Sequence, residues 1–384
     1  MQLLMIKDVH YRIHGYSHNK ITILILQIGG MKMYYVDPVI KEMFRTYQPE
    51  GRAPYIRLDQ NENPDGVPDW LFDEVMKKIT PEYLSLYPEE IIFRGKLTKL
   101  LGLEDGQLTL TDGSVVAMSY VIKVFGEPGK KLLCVSPTFG MYKVYADMQQ
   151  METKFINYEP NYTVDVNKLI DAIDDDTSVV SLVNPSMPIG NVYTDEEIEA
   201  VVEKAAMHDA VVIIDEAYHY FYDKDSLGLI DKYENVVILR TFSKMLSIPG
   251  LRLGMVISNK QNIQYVNNLK PHYTINNVAL AFGEGIVDNF DRLLPELKAK
   301  FEVGKDYIFN ELNKNDYSYI PSHGCFVCIK PKYKTAEIIT GELKNKFRIL
   351  IFCGKGDSAG FLRVTIWDKK YMKQFMDALL QIDV

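Results

Sequence analysis

From about Leu97 to Asn259 the chain alternates short apolar runs with stretches of helical spacing, the signature of a parallel sheet wrapped by helices. The runs predict strands at Lys131–Val135, Thr153–Ile156, Val179–Val183, Val211–Asp215, Val236–Leu239 and Leu253–Ile257. Thr194-Asp195-Glu196-Glu197 reads as a capping box that opens a helix through Ala206. That helix feeds the run Val-Val-Ile-Ile, which ends in Asp215. Ligands of such sheets bind beyond the carboxyl ends of the strands, so Asp215 is well placed for chemistry.

After about Lys270 the pattern changes to long helices over Asn277–Val287 and Leu294–Leu312, then to short strands alternating with helices. This predicts a second, smaller α+β domain. Tyr34 to Trp70 is Pro-rich and irregular, and reads as an arm crossing between the domains. The expected organisation is an extension over residues 1–30, an arm over 31–75, a large domain over 76–270 and a small one over 271–384.

Composition narrows the classes. With 384 residues, 47% hydrophobic and 24% charged, the chain is of the soluble globular kind and neither disordered nor fibrous. A net charge of -8, from 43 basic and 51 acidic residues with no long basic run, gives no footprint for nucleic acid. Four scattered cysteines, Cys134, Cys325, Cys328 and Cys353, do not make a disulfide framework and point to a reducing, cytoplasmic compartment. Cys325 and Cys328 spell C-x-x-C within an apolar run, where strand geometry turns them to opposite faces, so they read as core rather than a metal or redox pair. No metal site is expected.

The apolar run Ile21–Ile28 is eight residues long. That is well below the roughly 20 needed to span a bilayer, and no small-residue cleavage site of a secretory signal follows it. Gly29-Gly30 before Met31 and Met33 is what a purine-rich ribosome-binding sequence would encode, which makes these methionines candidate starts of translation.

The most informative stretch is Thr241-Phe242-Ser243-Lys244 followed by Pro249-Gly250-Leu251-Arg252-Leu253-Gly254. A lysine at the end of a buried strand is costly as a cation but can be kept as a Schiff base with an aldehyde cofactor. Hydroxyls at Thr241 and Ser243 and the Arg252 guanidinium are donors suited to a phosphate. Alone, the same lysine could be a solvated loop residue. Asp215-Glu216-Ala217-Tyr218 is the second piece: a carboxylate at a strand end can keep a pyridine nitrogen protonated, or can simply cap the next turn.

Taken together with Asn184-Pro185-Ser186-Met187-Pro188-Ile189-Gly190, these pieces resemble the fold-type I, class I/II aminotransferases, which depend on pyridoxal 5'-phosphate. The resemblance spans roughly Leu58 to Ile366 and is closest to the histidinol-phosphate aminotransferase branch. Asn61-Glu62-Asn63-Pro64, Tyr87-Pro88-Glu89, Phe125 to Lys130, Pro137 to Tyr142 and Leu362-Arg363-Val364-Thr365 carry it, in that order. It implies an α/β fold whose large domain holds a mostly parallel seven-stranded sheet with helices on both faces.

The resemblance also implies roles. Lys244 would carry the cofactor and shuttle a proton, Asp215 would face the pyridine nitrogen and Tyr218 the ring's phenolic oxygen. Gly113, Ser114 and Val115 would open a helix toward the phosphate, joined by Thr241, Ser243 and Arg252. Phe139 would stack on the ring. Tyr87 would reach the phosphate in the neighbouring subunit, implying a homodimer, while Arg363 and Asn63 would bind substrate. The expected activity is transamination between a small amino acid and a 2-oxo acid, with no nucleic-acid or membrane partner.

Departures from the pattern bear on substrate. Met187 stands where the family has an asparagine on the phenolic oxygen. Phe352 falls where histidinol-phosphate enzymes place a phosphate-gripping arginine, with Arg348 or Lys355 as substitutes. Cys325 replaces an asparagine, and Trp367-Asp368 a Gly-containing turn. The inference is a rebuilt pocket for a less anionic side chain. Threonine-phosphate decarboxylases resemble the same branch, and cyclising or ring-forming enzymes share the fold. A cofactor-sensing regulator would need a helix-turn-helix module ahead of the resemblance, and that segment is apolar, irregular and not basic.

Overall fold

A computed structural model describes residues 34–43, 51–354 and 359–384. The Ile21–Ile28 run, the candidate start methionines and Lys355 lie outside the described residues. Residues up to Phe44 form a unit of their own, whose described part is a short helix Pro38–Glu42 capped by the Asp37 carboxylate. Arg45–Val384 form a second, compact unit.

That unit holds two sheets. The described strands are β1 Ile56–Leu58, β2 Leu108–Thr111, β3 Lys131–Ser136, β4 Glu152–Asn157, β5 Thr177–Val183, β6 Val211–Asp215, β7 Val236–Thr241, β8 Gly254–Ser258, β9 Tyr319–Ile320, β10 Phe326–Ile329, β11 Ile349–Cys353 and β12 Leu362–Thr365. The larger sheet has seven strands in the order β2-β8-β7-β6-β5-β3-β4. Five run parallel from β7 through β4, while β8 pairs antiparallel with β7 and β2 antiparallel with β8. Successive residues of its central strands serve different cores: Val180, Leu182, Val212, Ile214 and Ile238 pack into one, Val179, Val183, Ile213, Val237 and Leu239 into the other. A sheet covered on both faces needs apolar residues at every position, and that is why these strands read as continuous runs.

The capping box is present: Thr194 accepts from the Glu197 amide, Glu197 accepts from the Thr194 amide, and the helix runs Asp195–Ala206. The helices expected after Lys270 lie at Asn277–Asp288 and Phe290–Lys314. The second begins four residues before the expected Leu294, because the turn ahead of Pro295 is helical and only the bond its missing N–H would make is lost.

The expected arm is corrected. Ile56–Leu58 within it is a strand, paired parallel with β11 as one edge of the five-stranded sheet β1-β11-β12-β10-β9. The strand predicted at Leu253–Ile257 lies one residue later, with Leu253 spent in the turn before β8. Cys325 and Cys328 are free thiols buried in different apolar clusters, on opposite sides as strand geometry requires.

Candidate active site

The site is built at the carboxyl ends of β6 and β7. In register, Asp215 closing β6 lies beside Leu239 of β7, and three residues past the end of β7 comes Lys244. Asp215 is buried and accepts from the Tyr142 hydroxyl at 3.0 Å and the Ala217 amide at 3.1 Å. Burial pushes its carboxyl up to about 6, against the pull of those two donors.

Lys244 is half-buried, its Nζ donating to the Gln60 carbonyl at 2.9 Å and lying 5.6 Å from the centroid of the Tyr218 ring. Burial draws its pKa below that of an ordinary lysine. The Tyr218 hydroxyl accepts from Asn61 Nδ2 at 2.9 Å, and burial raises its pKa, so it stays protonated through the neutral range. Cys325, buried next to this group, has a thiol pushed up to about 12 by burial.

Past Lys244 a 3₁₀ turn, Pro249–Leu251, leads to Arg252 in the left-handed region at φ 55°. This brings the Arg252 guanidinium back over Gly113, with Nη1 donating to the Pro249 carbonyl at 3.0 Å and Nη2 3.5 Å from the Asp112 carbonyl. Gly113 takes φ 82° and caps the helix Ser114–Phe125, so Ser114 and Val115 present first-turn amides that have no carbonyl a turn earlier. A Cβ on Gly113 would lie 2.4 Å from Arg252 Nη2. Thr241 Oγ1 donates to Ser243 Oγ at 3.0 Å, keeping two hydroxyls adjacent to this recess.

Arg363, on β12, is buried; its Nη2 donates to the Asp59 carbonyl at 2.9 Å and its Nη1 lies 3.1 Å from the Met187 sulfur. Its guanidinium sits 4.3 Å from the centroid of the Phe352 ring, its cross-strand partner in the β11–β12 register. Arg348 is turned elsewhere, stacked over Tyr55 at 4.7 Å. Phe139 is half-buried against the second core. Tyr87 is exposed, its ring 4.9 Å from that of Tyr273.

Asn63, expected at the substrate, has protein partners for its side-chain amide. Its Nδ2 donates to the Gly66 carbonyl and to the Ser247 hydroxyl, and its Oδ1 accepts from the Asp65 amide, so its amide is committed to its own loop and to the turn that follows Lys244. Asn61 is the member of that motif that meets Tyr218. Tyr142, the last residue of the Pro137 to Tyr142 motif, is a partner of Asp215 that no local sequence signal marks.

The aminotransferase class I and II family model matches residues 53–379. The chain belongs to the class I and II aminotransferases. It is similar to histidinol-phosphate aminotransferase 1 of Carboxydothermus hydrogenoformans, 30% identical over 348 residues that cover 89% of this chain and 98% of the relative. Among solved structures, the histidinol-phosphate aminotransferase from Sinorhizobium meliloti in complex with pyridoxal-5'-phosphate matches with a TM-score of 0.82 at 19% identity, covering 92% of this chain and 99% of that one. The L-threonine-O-3-phosphate decarboxylase from Porphyromonas gingivalis matches with a TM-score of 0.73 at 20% identity, covering 85% and 98%. At those identities the two structures show the shared fold. This aminotransferase has no helix among its described residues long and apolar enough to cross a membrane, and no described cluster of three or more metal-ligating side chains.

Proposed function

We propose that this aminotransferase holds pyridoxal 5'-phosphate at Lys244 and moves an amino group between a small amino acid and a 2-oxo acid, in a pocket suited to a side chain less anionic than histidinol phosphate. The residues fit that cofactor. The recess kept open by Gly113, between a helix N-terminus, the Arg252 guanidinium and the hydroxyls of Thr241 and Ser243, suits a phosphate. Asp215, costly to ionise where it is buried, suits a protonated pyridine nitrogen that would repay that cost. Bound there, pyridoxal phosphate supplies an electron sink for the charge that develops at the substrate's α-carbon.

The observation that carries the reading is Lys244. An amine whose pKa is lowered by burial sheds its proton more readily than a surface lysine, so it can take the proton from the α-carbon and hand it back one position away. Tyr218, still protonated, can donate to a phenolic oxygen. Arg363 is suited to grip a carboxylate: its buried Nε has no hydrogen-bond partner among the described residues, and such a donor costs free energy until an acceptor arrives. Around that arginine stand Phe352 and the Met187 thioether, and neither offers charge to a phosphate dianion.

The same reading makes the protein a cytoplasmic homodimer. Its four free thiols suit a reducing compartment. Leu84, Leu86, Tyr87, Ile91 and Ile92 are exposed close together in sequence, an apolar run that a second copy would cover while Tyr87 reaches the other site.

Borohydride reduction of the protein saturated with pyridoxal phosphate, followed by digestion and mass spectrometry, is expected to leave a pyridoxyl tag on Lys244. An amino-acid panel should then show 2-oxo acid formation. An untagged Lys244, or carbon dioxide release in place of the oxo acid, would overturn the reading.

A further inference from the structure

Residues 59–63 touch three side chains of the proposed site, Lys244, Tyr218 and Arg363. Three successive carbonyls accept from it: Asp59 from Arg363 Nη2 at 2.9 Å, Gln60 from Lys244 Nζ at 2.9 Å and Asn61 from the Cys325 thiol at 3.8 Å. In an extended strand successive carbonyls alternate in direction, so all three reach one site only because the chain turns. Asn61 makes that turn in the left-handed region at φ 56°, a conformation asparagine tolerates better than most residues. Its amide N–H donates to Thr365 Oγ1 at 3.0 Å and its side chain to Tyr218, while Asn63 ties the far end to Ser247.

The other side of this strap is held by charge. Arg52 grips the Asp59 carboxylate with a two-pronged contact, Nε to Oδ2 at 3.0 Å and Nη2 to Oδ1. Its Nη2 lies 3.0 Å from Glu62 Oε1, which also accepts from Arg57 Nε at 2.8 Å. Burial works against the Arg52 cation, but the hydrogen bonds to Asp59 and Glu62 prevail and raise its pKa. One guanidinium therefore spans both ends of the strap, from a position that touches none of Lys244, Tyr218 or Arg363 in the described contacts.

We infer that Arg52 is a positioning residue, which through Asp59 and Glu62 sets the strap whose carbonyls orient Arg363 and Lys244. The inference rests on the reading that these two side chains bind and turn over substrate. Because Arg363 would meet the carboxylate of donor and acceptor alike, loosening the strap should weaken both.

The test compares wild type, Arg52→Ala, Arg52→Lys and Glu62→Gln as holoenzymes, by hydrogen exchange over residues 56–66 and by steady-state kinetics with one amino donor and one 2-oxo acid. Losing charge-assisted hydrogen bonds to two carboxylates corresponds to about ten-fold. Arg52→Ala is expected to speed exchange over the strap by about that factor and to raise KM for both substrates similarly, with thermal midpoints close to wild type. Arg52→Lys, a charge without the fork, should recover part of both effects. Glu62→Gln should move both in the same direction and by less, which serves if Arg52→Ala fails to fold. Unchanged exchange, or faster exchange with KM unmoved, would overturn the inference. A wild-type protein without amino transfer would instead overturn the underlying reading, and the exchange measurement would still stand.

Discussion

The Tyr142 hydroxyl donates to the Asp215 carboxylate across 3.0 Å, inside the second core where neither side chain meets solvent. That donor and the Ala217 amide do not offset burial, and the carboxyl stands at about 6 against an ordinary 3.8. The native state therefore binds this proton more tightly than the unfolded chain does. Between about pH 4 and 6 stability should fall as pH rises, by about 3 kcal/mol across the window for this one group. Without cofactor, Asp215→Asn is expected to be more stable than wild type at pH 7.5 and no more stable at pH 4; with pyridoxal phosphate restored, it should lose at least about 100-fold in activity. Urea denaturation at the two pH values checks it, and an equal gain at both would contradict the assignment of the proton.

How much of this could be read from the residues depended on whether the signal was local. The run Val211–Ile214 ending in a carboxylate and the Thr194 capping box are complete within a few positions, and the structure has both where they were expected. Ile56–Leu58 is three residues long, and its only reason to be a strand is β11, nearly 300 positions away in its register with Ile349–Ile351. Leu108–Thr111 escaped for a related reason: a four-residue strand with two buried threonines carries no continuous apolar signal. Asn61 and Asn63 sit in one motif, and the choice between them is made by a backbone turn at Asn61 that no side-chain pattern encodes.

At Gly113 a single added carbon would act directly on the proposed phosphate recess. At φ 82° and ψ 163° it occupies a region essentially reserved for glycine, and its Cβ would collide with the Arg252 guanidinium. Gly113→Ala is expected to lose about 2 kcal/mol of stability and to bind pyridoxal phosphate at least about ten-fold more weakly because the displaced guanidinium leaves the recess. Absorbance titration of the apoprotein with the cofactor measures the second effect separately from the first. Unaltered affinity would show that the phosphate does not sit there.

Glu216 and Arg240 form an ion pair that solvent does not reach, with Arg240 Nη2 2.7 Å and Nε 2.8 Å from Glu216 Oε2. Glu216 Oε1 also accepts the Ser226 amide at 2.7 Å. Burial pushes the Glu216 carboxyl up and Arg240 pulls it back. Glu216→Gln would leave the guanidinium with only the half-exposed Asp225 at 3.3 Å, so a loss of about 3 kcal/mol is expected, at the low end for breaking a buried pair. Denaturant midpoints at neutral pH check this. A loss under about 1 kcal/mol would mean that Asp225 substitutes fully.

The stacking of Arg363 on Phe352 ties the substrate reading to one side chain. A guanidinium 4.3 Å from a ring centroid, out of solvent, gains about 1–2 kcal/mol from the contact. Phe352→Ala should therefore raise KM for an amino acid by about five- to thirty-fold with kcat little changed, since the contact orients the arginine before any bond is broken. Phe352→Arg asks the sharper question. It places two cations on facing positions of β11 and β12, which costs sheet stability, but it offers a phosphate the second guanidinium that Met187 and Phe352 deny it. The ratio of kcat/KM for histidinol phosphate to that for an apolar amino acid is expected to rise at least about ten-fold in this variant. If wild type already prefers histidinol phosphate, or the ratio stays where it was, then Phe352 does not set the charge preference of the pocket.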